Sequence, residues 1–340
     1  MKKRILCLLL IFVLAFSLVA QARSGKDTER ARSFERYYGL LPDEKTQQRI
    51  ADLGEKLVVA NGLSQYDFTF RVINSSEVNA VTLPGGYIYV YKGLIDFMPS
   101  DEEIAAVIGH EMGHVMGNHF ARREREQWLT LLVGALLGGP EGAIAANAAL
   151  ASLPAYGQRD EREADDSGFK YLTEAGMNPY AMLVVMHKLG ETENSQIRSN
   201  FAAHPEPLVR AGRINKYIEK MQVKPTVMES TTSALVQDGS WSFSVTQPDG
   251  ENRPLYRAWL LAGNLYCISR GVDLSKDKFI VVEQKDSAQI YYADRLVYTV
   301  GQMDVLQQNQ TASQKAAEYI ESFRGWVDMK KQQPVAEKSQ

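Results

Sequence analysis

Cysteine is almost missing: two in 340 residues. Cys7 lies in an apolar leader and Cys267 stands alone, so no internal disulfide can staple the mature chain, and its core must hold without one. Positive charge is in slight deficit, 38 Lys and Arg against 41 Asp and Glu. The formal net charge is −3, and removal of Lys2, Lys3 and Arg4 with the leader takes it to −6, which leaves no basic field for nucleic acid. Past the leader, no single apolar run reaches the roughly 20 residues that a membrane span needs. The whole chain is 45% hydrophobic, enough for a globular protein of about two domains.

The leader has three parts. Met1 to Arg4 is basic, Ile5 to Ala20 is apolar, and Ala20-Gln21-Ala22 offers the small side chains that signal peptidase accepts. This pattern predicts a signal peptide over 1–22, a mature chain beginning at Arg23, and export, with a periplasmic location. The alternative is a retained segment that keeps the protein at a membrane. Residues 23–36 are charged and lack apolar period, and read as a mobile or lightly docked arm. A helix is predicted from Leu41-Pro42-Asp43 to about Val59, and a strand over Tyr66–Ile73. Gly85-Gly86 then opens a second strand, Tyr87 to Tyr91. As an edge strand its residues Gly86, Tyr87, Ile88 and Tyr89 would pair with an extended substrate by main-chain hydrogen bonds; as an interior strand it would bury its tyrosines in the core.

Chemistry concentrates at His110-Glu111-Met112-Gly113-His114. Positions four apart on a helix stand one above the other, so both imidazoles can grip one ion. Glu111 projects beside them, near enough to take a proton from water. The helix has its own signals: Ser100 and Glu103 make a capping box, Asp101, Glu102 and Glu103 suit the positive end of the dipole, and Ile104, Val107, Ile108, Val115 and Met116 form an apolar stripe. Arg122 and Arg123 mark its expected end. A catalytic zinc needs a third protein ligand, and the next acidic cluster offers Glu161 and Glu163. Spacing selects Glu161, because Asp165 follows it by one turn and can accept the spare N–H of a ligand histidine; Glu163 would put Ser167 there. His119, five residues past the motif, is expected to be structural or to support a ligand from behind, and His187 to pack in a helix.

Together with Leu83-Pro84-Gly85-Gly86-Tyr87, and with Glu161 and Asp165 ahead of Gly168, the motif resembles the HtpX/BepA-like zinc endopeptidases, relatives of the CAAX prenyl protease. His204-Pro205 with Arg210 is similar to a downstream element of that family. The resemblance covers about residues 40–220. It implies a mainly helical, gluzincin-type core that holds one Zn2+ through His110, His114 and Glu161. It also implies that His204 either occupies the open metal position at rest or stabilises the transition state, with Arg210 anchoring the loop or the oxyanion. No repeat of about 34 residues follows Arg213, so a tetratricopeptide domain is not expected.

Two further stretches complete the chain. Trp128 to Gly138 and Ala143 to Leu153, joined at Gly139-Pro140, read as two short apolar helices that form part of the core or a cleft wall, with peripheral membrane contact as the alternative. After Lys224-Pro225 the composition turns to Ser, Thr and Gln, which places a domain boundary at 225. Strands are predicted over 241–245, 255–261, 265–269, 279–283 and 296–300, with Gly263-Asn264 as a turn, then a helix over 311–323 and a disordered tail from 329. The fold class expected is therefore α+β: a helical protease domain with a small sheet, over 23–225, and a strand-rich accessory domain over 226–328. The function expected is zinc-dependent hydrolysis of protein or peptide substrates, in envelope protein quality control. A zinc-stabilised binding module with little turnover is the alternative.

Overall fold

The computed structural model describes residues 24–127, 157–200, 204, 206–306 and 310–332. These fall into two compact units. The first takes in the described residues within Met1–Asp96, Val107–Tyr171 and Ser199–Pro205, the second those within Phe97–Ala106, Leu172–Arg198 and Glu206–Gln340. The composition change at 225 falls inside the second unit. Both are mainly helical with small three-stranded sheets, an α+β fold.

In the first unit, helix α1 (Gly25–Tyr38) opens with a capping box between Ser24 and Asp27. Of the two readings of this charged stretch, mobile or lightly docked, the structure has the docked one, as a helix. Its apolar stripe is narrow: Ala31, Phe34 and Tyr38, spaced three and four apart, pack on Tyr87, Tyr89 and Tyr91. Glu35 adds a polar clamp, accepting from the Tyr89 hydroxyl at 2.8 Å and from Arg71 at 2.9 Å. Helix α2 (Glu44–Ala60) starts where Asp43 caps it and buries Ile50, Leu53, Leu57 and Val58. The sheet consists of β1 (Thr69–Ile73), β2 (Ala80–Leu83) and β3 (Tyr87–Tyr91), in the order β1-β3-β2.

Strand β3 is thus the central strand, parallel to β1 and antiparallel to β2. This corrects the edge-strand reading of Gly86, Tyr87, Ile88 and Tyr89. All five residues of β3 are buried and both of its sides are paired, so its main chain has no free edge for a substrate. The glycines before it serve the turn: Gly85 and Gly86 have φ of 82° and 77°, and Asp67 leaves no room for a side chain at Gly86.

Helices α3 (Asp101–Met116) and α4 (Gln158–Glu174) each run through both units. The second unit continues with α5 (Ala181–Glu191), α6 (Pro207–Lys220), the antiparallel meander β4-β5-β6 (Thr226–Glu229, Ala234–Asp238, Trp241–Val245), α7 (Pro254–Ser269), the meander β7-β8-β9 (Phe279–Glu283, Ala288–Tyr292, Arg295–Val300) and α8 (Ala312–Gln332). Helix α7 replaces the two strands expected over 255–261 and 265–269. Pro254 stands at its first turn, and Leu255, Ala258, Leu261, Ala262, Leu265 and Ile268 are buried at helical spacing. Gly263-Asn264 is no turn. Asn178 packs where a Gly263 side chain would be, and Asn264 donates to the Leu296 carbonyl at 3.0 Å. Helix α8 outruns the expected 323 because Trp326 and Val327 are buried, so residues 329–332 of the expected tail are helical. Among the described residues no helix is long and apolar enough to cross a membrane. The leader, the apolar pair over 128–153 and residues 333–340 lie outside the described residues.

Candidate metal centre

Helix α3 begins as its sequence predicts, with the Glu103 backbone N–H donating to Ser100 Oγ at 3.2 Å and three acids in its first turn. It ends earlier than Arg122. After Met116, Asn118 takes a left-handed φ of 51°, and helical geometry resumes over 119–127. Asparagine tolerates that conformation better than most residues, and the reversal brings His119 back against His114. Gly117 has to be glycine, because a side chain there would strike the His119 ring.

Helix α4 lies close along α3, and small residues make this possible. A Cβ at Gly113 would come within 2.7 Å of the Ala164 backbone, and one at Gly168 within 2.8 Å of the His110 nitrogen. That closeness carries Glu161 to the two histidines: His114 Nε2 is 3.4 Å from its Oε1 and His110 Nε2 is 3.6 Å from its Oε2. Asp165, one turn on, sits 3.0 Å from His110 Nδ1, as the spacing predicts. Glu163 points elsewhere, to His119 Nε2 at 3.1 Å, with its side chain 38% exposed. His204 also enters the group. Its Nδ1 is 2.9 Å from Glu161 Oε1 and 3.3 Å from His110 Nε2.

Electrostatics follow from burial. Desolvation pulls His114 down to about 4, outweighing the pull of the Glu161 carboxylate as an acceptor, so its imidazole is neutral near pH 7. Burial alone would raise Glu161, but His204, His114 and His110 around it hold its carboxyl far below the usual carboxylate range. Glu111 is buried, and its Oε2 accepts a hydrogen bond from Thr82 Oγ1 at 2.7 Å. Its Oε1 lies 3.9 Å from His204 Nε2. Thr82 sits on β2, at the edge of the sheet. Nothing in its spacing betrays this role, because a lone hydroxyl in a four-residue strand carries no period. Arg210 lies on α6, in the second unit.

The donor set fits a metal ion. Ligand atoms on a tetrahedral zinc, at about 2.0–2.1 Å from it, lie roughly 3.3 Å from one another. His110 Nε2 and His114 Nε2 are 3.1 Å apart, and the other separations given above run from 2.9 to 3.6 Å. All four donors are buried and lie within 4.8 Å of one another. A second acidic group, His119, Asp160 and Glu163, has similar spacing, but Arg122 is bonded to both of its carboxylates.

A buried His-His-Glu donor set with a carboxylate beside it, carried on two close helices, is the constellation of a metallopeptidase. The chain belongs to peptidase family M48, whose family model matches residues 44–218. It is 33% identical to the metalloprotease LoiP of Escherichia coli over 165 residues, which are 46% of this chain and 65% of that one. Identity to the mitochondrial metalloendopeptidase OMA1 of Arabidopsis thaliana is 30% over 187 residues, 54% of this chain and 38% of the relative. The beta-barrel assembly-enhancing protease of Escherichia coli is 28% identical over 206 residues, 56% of this chain and 42% of the relative. In each case the match spans less than two thirds of the relative's length.

Proposed function

We propose that this chain is an exported zinc endopeptidase that hydrolyses peptide bonds of proteins. The observation that carries the reading is the convergence of His110, His114 and Glu161 in one buried group, with Glu111 alongside. When bound, zinc supplies Lewis acidity toward a carbonyl oxygen and toward water. Asp165 holds His110 with its Nε2 lone pair turned to the ion. Glu111, steadied at one oxygen by Thr82, keeps Oε1 to take a proton from water and to deliver it to the leaving amine. An extended substrate pairs with β2, whose outer edge has no strand partner among the described residues and whose Thr82 reaches the proposed base.

His204 acts as a gate in this reading. Its Nδ1 stands among the donors at distances suited to a fourth ligand, which is the position a reacting carbonyl or water needs. Arg210 is kept as a candidate anchor for that loop or for the oxyanion. The leader, residues 1–22, directs export to the periplasm, where the chain takes part in envelope protein quality control; the name of the beta-barrel assembly-enhancing relatives favours this setting.

The test is Glu111→Gln. It is expected to keep zinc and fold while lowering cleavage of an unfolded protein by at least ~10²-fold. Parent-level cleavage by a zinc-loaded variant would remove Glu111 as the base.

A further inference from the structure

The two histidines on α3 are backed in different ways. His110 Nδ1 faces the buried carboxylate of Asp165 directly at 3.0 Å. His114 Nδ1 instead faces a second imidazole, with His119 Nδ1 2.8 Å away. Only one of these two nitrogens can bring the proton. His114 Nε2 is turned to His110 and Glu161, so it must present a lone pair to act as a donor atom there, and its proton sits on Nδ1. His119 Nδ1 therefore accepts, which puts the His119 proton on Nε2, where Glu163 Oε2 waits at 3.1 Å. Glu163 is held in turn by Arg122 at 3.1 Å and Arg159 at 2.9 Å, and Arg122 also bonds Asp160. The two hydrogen bonds from His114 through His119 then run one way and end on Glu163, which also accepts from both arginines.

We propose that His119 is a positioning residue for the metal centre: it fixes the tautomer and ring plane of His114 and links that ring to the Glu163–Arg122 pair. The local chain is built for it. Gly117 leaves room for the ring, Asn118 makes the reversal, and His119 is fully buried though it belongs to neither the donor set nor the apolar core. A second cation over His119, Asp160 and Glu163 is disfavoured, because the Arg122 guanidinium already supplies the positive charge between the two carboxylates. The inference rests on the reading of His110, His114 and Glu161 as zinc ligands.

Three substitutions in the full chain test it, read by zinc affinity in competition with a chromophoric chelator and by zinc per chain. In His119→Asn the amide oxygen takes the place of Nδ1, so the acceptor for His114 survives while the link to Glu163 is lost. His119→Gln keeps a donor near the Nε2 position but no acceptor for His114, and His119→Leu keeps neither. A positioning role predicts that Leu and Gln each weaken zinc binding by ~10–100-fold and that Asn stays within a few-fold of the parent. A merely structural tether to Glu163 predicts the opposite order for Asn and Gln, and that order, or equal affinity in all three, overturns the proposal. If the Leu variant fails to fold, the Asn and Gln pair still decides. Two zinc per chain, with one lost in Asp160→Asn, would also overturn it in favour of a second cation site. If the parent binds no zinc, the ligand reading itself fails, whereas equal binding by parent and variants sinks only the role of His119.

Discussion

Thr82 shows how much one hydroxyl can organise. It donates to a carboxylate oxygen of Glu111 at 2.7 Å, in a place shielded from water, and so fixes which oxygen is left for proton transfer. Thr82→Val keeps the shape and removes the donor. The expected result is a drop in kcat of at least about 10-fold with zinc content unchanged, since a hydrogen bond to a charged group is worth roughly 1.5–3 kcal/mol. Thr82→Ser is expected to restore most of the rate, and a valine variant with parent kinetics would show that Glu111 needs no such support. The acidic residues of α4 separate in the same way. Glu161→Gln is expected to lose most of its metal, and Asp165→Asn to bind it ~10–100-fold more weakly. Elemental analysis after dialysis checks the order, and a parent-like Glu161→Gln would exclude that residue as a ligand. The convergence behind both proposed roles was legible in the sequence, because the four-residue spacings of His110 with His114 and of Glu161 with Asp165 are the period of the helix itself. Thr82 was not legible, since its partner is 29 residues away and no local rhythm connects them.

At the scale of elements, the pairing of α3 with α4 depends on what is missing from their facing sides. Gly168 leaves room for the His110 backbone and Gly113 for that of Ala164, so a single methyl would part the helices where Glu161 must reach across. Gly168→Ala is expected to cost about 1–3 kcal/mol of stability and to weaken zinc binding as well. Thermal unfolding with and without zinc measures both, and a variant that melts with the parent in each state would contradict the close-packed seam. Sequence patterns found α2, α3 and α4 because caps, charges and apolar spacing agreed there. They misread α7, where Gly263-Asn264 is the usual signature of a turn. Composition pointed the other way: from Leu255 to Cys267 there is no β-branched residue, and leucine and alanine favour helix. Helix α1 was missed for a different reason. Its stripe of Ala31, Phe34 and Tyr38 is too thin to stand out among charges, and it gains meaning only once the tyrosines of β3 are known to need a cover.

Across the whole molecule, the second unit does not begin where the composition changes. It includes the first turns of α3 and the stretch from Leu172 to Arg198, and its interior ties them to the C-terminal strands and helices. Asn178 donates to the Leu260 carbonyl at 2.7 Å, and Arg295 reaches Glu102 and the Gly176 carbonyl. A chain stopped after Lys224 therefore keeps residues whose partners are gone. It is expected to aggregate or to unfold without a cooperative transition, and a soluble, zinc-binding fragment with a sharp melt would show that the protease part stands by itself.

That α3 is one unbroken helix from Asp101 to Met116 has a thermodynamic consequence. The turns that hold His110 and His114 and the turns that hold Glu102 and Glu103 cannot be ordered independently, because helix propagation ties each residue to the next. With zinc held as proposed, its binding and the order of those first turns are linked functions, and linkage is reciprocal: whatever steadies the turns at Glu102 and Glu103 raises zinc affinity by the same factor by which zinc steadies them.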